Sequence, residues 1–221
     1  MILTEFLTIA VLHFLAVVSP GPDYAVVTRY SISEGRRVGR WVAVGIGCGI
    51  LLHVAYSLLG VTLIIHRYTS VYLTLLAVGA AYLGWLGWGA IQARAREPLP
   101  IDAAPPEGDT SPRKAFWIGF MTNGLNVKAT LFFLAIFSTV IAPQTATLVK
   151  AGYGLYMAVA TGVWFVTLAT LITWQPFYRW LWRFSHWIDR AMGLALLAFS
   201  AHLIWTLLQI LTGTESAPVV S

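Results

Sequence analysis

The chain has 221 residues, of which 58% are hydrophobic and only 10% charged, and its mean hydropathy is +0.74. A soluble domain of this length rarely carries so little charge, so the composition excludes one and points to an integral membrane protein. The net charge of +5 comes from short basic clusters between apolar runs, which read as topology signals and not as a nucleic-acid surface; the single cysteine, Cys48, rules out a disulfide framework or a cysteine-rich metal site within one chain.

The first apolar run, "MILTEFLTIAVLHFL", carries Glu5 where a leader peptide would be basic, and no small-residue cleavage site follows it, so it reads as a retained first span. Six segments reach the ~20 residues that a helix needs to cross a bilayer core: residues 4–29, 41–65, 70–92, 115–141, 152–174 and 190–211. They are continuously apolar and do not alternate, which favours helices over barrel strands. The expected fold is an all-α integral membrane protein.

Lys and Arg fall in alternate connections. Arg36, Arg37 and Arg40 follow the first span, Arg94, Arg96, Arg113 and Lys114 the third, and Arg179, Arg183 and Arg190 the fifth, whereas the other connections hold only Arg67 and Lys150. An excess of this kind marks the cytoplasmic side, so both termini are expected outside. The Pro-rich polar stretch 93–114 is expected to be a cytoplasmic linker between a three-helix half at 1–92 and another at 115–221, together forming one membrane domain. Three spans per half force the halves into opposite orientations, the geometry of an inverted repeat. Sliding the chain by 105 residues lays Gly47 and Gly49 over Gly152 and Gly154, and Pro22 and Asp23 over Val127 and Lys128.

Two spans contain residues that break helices. In "VVSPGPDYAVV", Pro20 and Pro22 cannot donate backbone hydrogen bonds, Gly21 is free to adopt unusual angles, and Asp23 falls in the first turn of a restarted helix, where free amides favour an anion. In "MTNGLNVKATLFFL", Asn123 and Asn126 can cap a helix start, Gly124 relaxes the backbone, and Lys128 lies in an otherwise apolar run. Spans one and four are therefore expected to be broken. At 1.5 Å per helical residue Asp23 lies about 20 Å from Arg36, and Lys128 about 21 Å from Lys114, so the two reach similar depths and can neutralise one another. One reading is a structural ion pair between kinked helices. The other is a transport site, because irregular backbone within a membrane lines cavities. Free amides, Asn side chains, one acid and one base suit a zwitterion, which is a free amino acid.

His53 shares a face of the second span with Gly45, Gly49 and Tyr56. Gly45 and Gly49 form a small-residue pair for close helix packing. His53 can carry a coupled proton, with Asp23 as the competitor for that role; His13 reads as a packing residue.

The stretches "SPGPDYAVVTRYSISEGRRVGRWVAVGIGCGILLHVAYSLLGV", "GFMTNGLNVKATLFFLAIFS" and "HWIDRAMGLALLAFSAHLI" resemble the LysE/RhtB family of bacterial amino-acid exporters, and within it the threonine efflux branch. Pro20, Gly21, Pro22 and Asp23 match the family's first motif, and Asn123, Asn126 and Lys128 its second, where Val127 replaces the usual proline. The resemblance implies an inner-membrane secondary exporter driven by the proton gradient, with threonine, homoserine, lysine, leucine or a related metabolite as substrate. It implies no bound cofactor and no enzyme activity, and it alone supports export over uptake. The residues themselves supply no paired carboxylates, no metal motif and no nucleophile beside a histidine, which argues against a membrane enzyme. They also lack the polar ring of a passive channel. Membrane lipids are the expected surroundings, and the unit works either alone or as a homo-oligomer through its glycine faces, both of which stay open here.

Overall fold

The computed structural model describes residues 2–19, 21–61, 69–93, 109–142 and 144–213. Pro20, Arg67 and most of the linker, with Arg94 and Arg96, lie outside these residues. Among the described residues all regular structure is helical: α1 (Ile2–Val18), α2 (Pro22–Tyr56), α3 (Thr69–Ile91), α4 (Pro112–Gly124), α5 (Val127–Ala135), α6 (Thr147–Leu171) and α7 (Gln175–Leu211). Wider π-helical turns continue α2 through Ser57–Val61 and α5 through Ile136–Val140.

Three helical stretches, Pro22–Leu59, Thr147–Leu171 and Asp189–Leu211, are each long and apolar enough to cross a membrane, and α4 with α5 makes a fourth if this pair, bent by 55°, counts as one span. The helix α2 has 35 residues, about 52 Å at 1.5 Å each, which exceeds a bilayer core of about 30 Å. It does not run straight. Gly35 has φ 83° and ψ 163°, a left-handed conformation that favours glycine, and there the chain folds back: a Cβ on Gly39 would lie 2.0 Å from Ser31 Oγ. The limbs 22–34 and 36–56 are thus two separate helices that meet at Gly35.

Glycines set the closest helix crossing. A Cβ on Gly119 of α4 would lie 1.9 Å from the Val42 carbonyl oxygen of α2, and one on Gly45 would lie 2.0 Å from that of Phe116. The two backbones touch reciprocally, as the Gly45 and Gly49 pair led us to expect. Gly119→Ala is expected to force them apart at about 1–3 kcal/mol, the cost of overpacking, and to lower the melting temperature of the detergent-solubilised protein by several degrees; an unchanged transition would contradict the crossing.

The helix α2 packs along α4 and α6, and α3 along α7. Two apolar clusters result, one around Ile50, Leu76, Phe133, Met157 and Leu203, the other around Val27, Val42, Ile46, Phe165 and Leu168. Outward faces remain apolar as well: Leu3, Leu7, Val11 and Phe14 on α1, and Leu155, Val159 and Val163 on α6, are exposed at helical spacing. Helices apolar on every side suit a lipid solvent. The first turns of α1 are tied down by buried Glu5, whose Oε1 accepts from Ala142 N at 3.1 Å and lies 3.0 Å from Thr145 Oγ1, and whose Oε2 lies 3.2 Å from the Tyr153 hydroxyl.

Candidate functional site

The two helix breaks meet. At the first, α1 ends at Val18 and α2 restarts with Gly21 as its cap and Pro22 as its first residue, a position where a missing N–H leaves nothing unpaired. Gly21 has φ −167°, extended backbone that any residue adopts, so the break does not use the unusual angles expected of it. The side chain of Lys128 passes 3.6 Å from the place a Cβ would occupy there. At the second, α4 runs through Gly124, and the turn falls on Leu125 and Asn126. Gly124 is therefore helical, and a Cβ on it would meet Leu52 at 3.1 Å; close packing, not backbone freedom, is what the structure asks of it. The side-chain oxygen of Asn126 accepts from Lys128 N at 3.0 Å and Ala129 N at 3.4 Å, capping α5.

Val127 is the first residue of α5, and the backbone of Asn126 before it is extended, with φ −78° and ψ 103°. Both conditions suit a proline. We expect Val127→Pro to be accepted without loss of folded protein and to raise stability by about 0.4–1 kcal/mol through a stiffer unfolded chain; a lowered melting temperature in detergent would show that the break is shaped differently.

Asp23 and Lys128 line one cavity, but they are held by different partners. Asp23 Oδ2 accepts from Asn123 Nδ2 at 2.8 Å and from Asn126 Nδ2 at 3.1 Å, while its Oδ1 is buried with no protein partner. Asn126 thus caps α5 and holds the acid of α2. Lys128 Nζ lies 3.4 Å from the carbonyl oxygens of Ala16 and Ser19, groups that the end of α1 leaves without intrahelical partners and where a cation is favoured. Among the described residues no contact ion pair joins Asp23 to Lys128; the two charges face one space within electrostatic range of each other, and the acid Asp189 is within range of Lys128 as well. What keeps Asp23 and Lys128 out of contact is reach: the lysine stem carries its ammonium past Gly21 to the α1 carbonyls, and the two asparagines take the carboxylate.

The cavity is small, about 50 Å³, enough for roughly three to five waters at 10–15 Å³ each. Its apolar wall includes Ile50, Phe132, Phe133 and Phe165, drawn from both clusters, so it lies on the seam between them. Its polar wall includes two residues that the sequence did not single out for the site, His13 and Thr161. The nearest signal was His13 itself, three and four residues before Ala16 and Val17 on one face of α1; its partner is 148 positions away, beyond any local pattern.

His53 is fully buried one layer behind the cavity. Its Nε2 lies 2.9 Å from the Asn123 carbonyl oxygen, Nδ1 meets the Tyr56 hydroxyl, and the ring stacks on Phe133 with centroids 5.6 Å apart. A carbonyl only accepts, so Nε2 carries the hydrogen and, in the neutral ring, Nδ1 accepts from Tyr56. His53 touches Asn123, and Asn123 touches Asp23.

The model of the LysE type translocator family matches residues 14–206. The chain belongs to that family. This translocator is 30% identical over 199 residues to a threonine efflux protein of Escherichia coli (strain K12), covering 90% of this chain and 97% of the relative. It is 28% identical over 199 residues, with the same coverage, to a threonine efflux protein of Salmonella typhi. A cysteine/O-acetylserine efflux protein of Salmonella choleraesuis is 28% identical over 152 residues, 67% of this chain and 70% of the relative. No solved structure matches the chain. It is a membrane transporter and not an enzyme.

Proposed function

We propose that this translocator exports small neutral amino acids, threonine, homoserine or close relatives, across the bacterial inner membrane by proton-coupled alternating access. The observation that carries the reading is the cavity itself, in which Asp23 and Lys128 face one space without pairing. A zwitterion supplies what each lacks. Its ammonium goes to Asp23, whose Oδ1 has no protein partner, and its carboxylate to Lys128 and the first-turn amides of the restarted helices. Gly21, Pro22, Asn123, Gly124 and Asn126 shape or border the site in this reading; Pro20, expected there from the sequence, lies outside the described residues. The efflux proteins among its relatives support the substrate class and the direction.

The architecture we propose is six spans in two inverted halves, both termini outside. Support comes from the register of the breaks: α2 starts at Pro22 and α5 at Val127, which are the positions brought together by the slide of 105. The limb 36–56 packs against its counterpart α6, Gly47 against Gly162, and α3 packs against its counterpart α7, Gly87 against Gly193. Inverted repeats alternate by rocking one half against the other around a central site. Asp23 carries the coupled proton in this scheme, and His53 tunes it through Asn123.

Efflux of labelled threonine from preloaded proteoliposomes of defined orientation, with and without an imposed proton gradient, tests the proposal. Movement that the gradient accelerates is the expected result. If neither threonine nor any of a panel of neutral amino acids moves, the proposal is wrong.

A further inference from the structure

Besides the two charges, the cavity holds a second polar pair that the zwitterion leaves unused. His13 of α1 and Thr161 of α6 both line it, His13 Nε2 lies 3.0 Å from Thr161 Oγ1, and they are 2% and 1% exposed. Their surroundings are apolar and aromatic, with the Phe132 ring centroid 6.3 Å from that of His13. Polar groups buried in such a wall are costly unless satisfied, and a leucine and a valine would fill comparable space without that cost.

The hydrogens of the pair show what it can do. A neutral histidine and a threonine bring two hydrogens, and the bond between them uses one. If Nε2–H donates to Oγ1, the threonine O–H is left to donate and Nδ1 to accept. If the O–H donates to Nε2, then Nδ1–H is left to donate and Oγ1 to accept. In both arrangements one donor and one acceptor remain, and among the described residues neither His13 Nδ1 nor the Thr161 hydroxyl has another hydrogen-bond partner. The two free positions diverge, because Nδ1 faces away from Nε2 across the ring, so a ligand hydroxyl meets the pair at the Thr161 hydroxyl, which His13 orients and which has one hydrogen bond left to give or to take.

The position fits as well. His13 stands three residues before Ala16, whose carbonyl oxygen lies 3.4 Å from Lys128 Nζ, so the pair sits roughly one helical turn, about 5 Å, along α1 from the lysine. The carboxylate and the side-chain hydroxyl of a hydroxy amino acid are separated on that scale. We infer that His13 and Thr161 form a subsite for the side-chain hydroxyl of the substrate, so that the substrate class is the hydroxylated amino acids and isosteric apolar ones such as valine are rejected. The inference rests on the amino-acid reading above. Its physical basis is that a site built to hydrogen-bond a hydroxyl leaves its own groups unpaired when the hydroxyl is missing, whereas an apolar pocket discriminates weakly.

The test is transport of labelled threonine against labelled valine in proteoliposomes of wild type, Thr161→Val and Thr161→Ser. Wild type is expected to prefer threonine at least tenfold, Thr161→Val to reduce that ratio at least tenfold, and Thr161→Ser, which keeps the hydroxyl, to retain it. A wild-type ratio near one, or an unchanged ratio in Thr161→Val, overturns the subsite while the transport seen leaves the amino-acid reading standing. Absence of transport of any amino acid by wild type overturns both. If Thr161→Val cannot be recovered as folded protein, His13→Leu is judged by the same ratio.

Discussion

Lys128→Gln is expected to reduce threonine transport by about a hundredfold with the protein still folded. Glutamine keeps most of the length of the side chain and a donor for the Ala16 and Ser19 carbonyls, and it removes only the charge. Truncating one partner of a buried charge pair costs about 2–5 kcal/mol, and at 1.4 kcal/mol per tenfold this spans roughly 30-fold to a few thousandfold in affinity. The check is initial efflux rate together with the thermal transition in detergent. A wild-type rate would remove Lys128 from the site, and a collapsed transition would mean that its role is to stabilise the end of α1.

Asp23→Asn carries the second large effect. Its side chain is isosteric, and its oxygen still accepts from the amides of Asn123 and Asn126, so the meeting of the two breaks survives. What is lost is the anion for the substrate ammonium and, in the proposed scheme, the group that carries the coupled proton. Threonine transport is expected to fall by about a hundredfold on the same charge-pair argument, and residual movement is expected not to respond to a proton gradient. These two readouts separate the roles. Slow transport that the gradient still drives would keep Asp23 in substrate binding and move coupling elsewhere, with His53 the nearest alternative. Fast transport without gradient dependence would do the reverse.

Both breaks were legible because their signals are local. Proline in the first turn and asparagine at a cap act within three or four residues of where they stand, and α2 and α5 begin where those residues place them. The reversal at Gly35 is just as local. A glycine between Glu34 and the basic run at Arg36 and Arg37 is a helix-ending signal, and the limb ends there, beyond residue 29 where the apolar run of span one stops. Gly21 and Gly124 show the limit of local reading: both have ordinary backbone angles, and a Cβ would press on Leu52 at 3.1 Å at Gly124 but make only ordinary contact with Lys128, at 3.6 Å, at Gly21. Which acid meets which base is a tertiary property. The sequence put Asp23 and Lys128 at one depth, but depth does not reveal that Asn123 and Asn126 take the carboxylate and the α1 carbonyls take the ammonium. His13 and Thr161 were hidden for the same reason, since a single histidine on an apolar helix looks like packing until its neighbour across the cavity is known.

In the proposed site the two separated charges receive the two ends of an amino acid. Equilibrium binding to the purified translocator, by calorimetry in detergent, tests it most directly with three ligands: threonine, its methyl ester and its N-acetyl derivative. The ester lacks the carboxylate charge and the N-acetyl compound lacks the ammonium. Threonine is expected to bind and each derivative to bind at least tenfold more weakly, with Lys128→Gln abolishing the discrimination against the ester and Asp23→Asn that against the N-acetyl compound. Binding of both derivatives as tightly as threonine by the wild-type protein would contradict it.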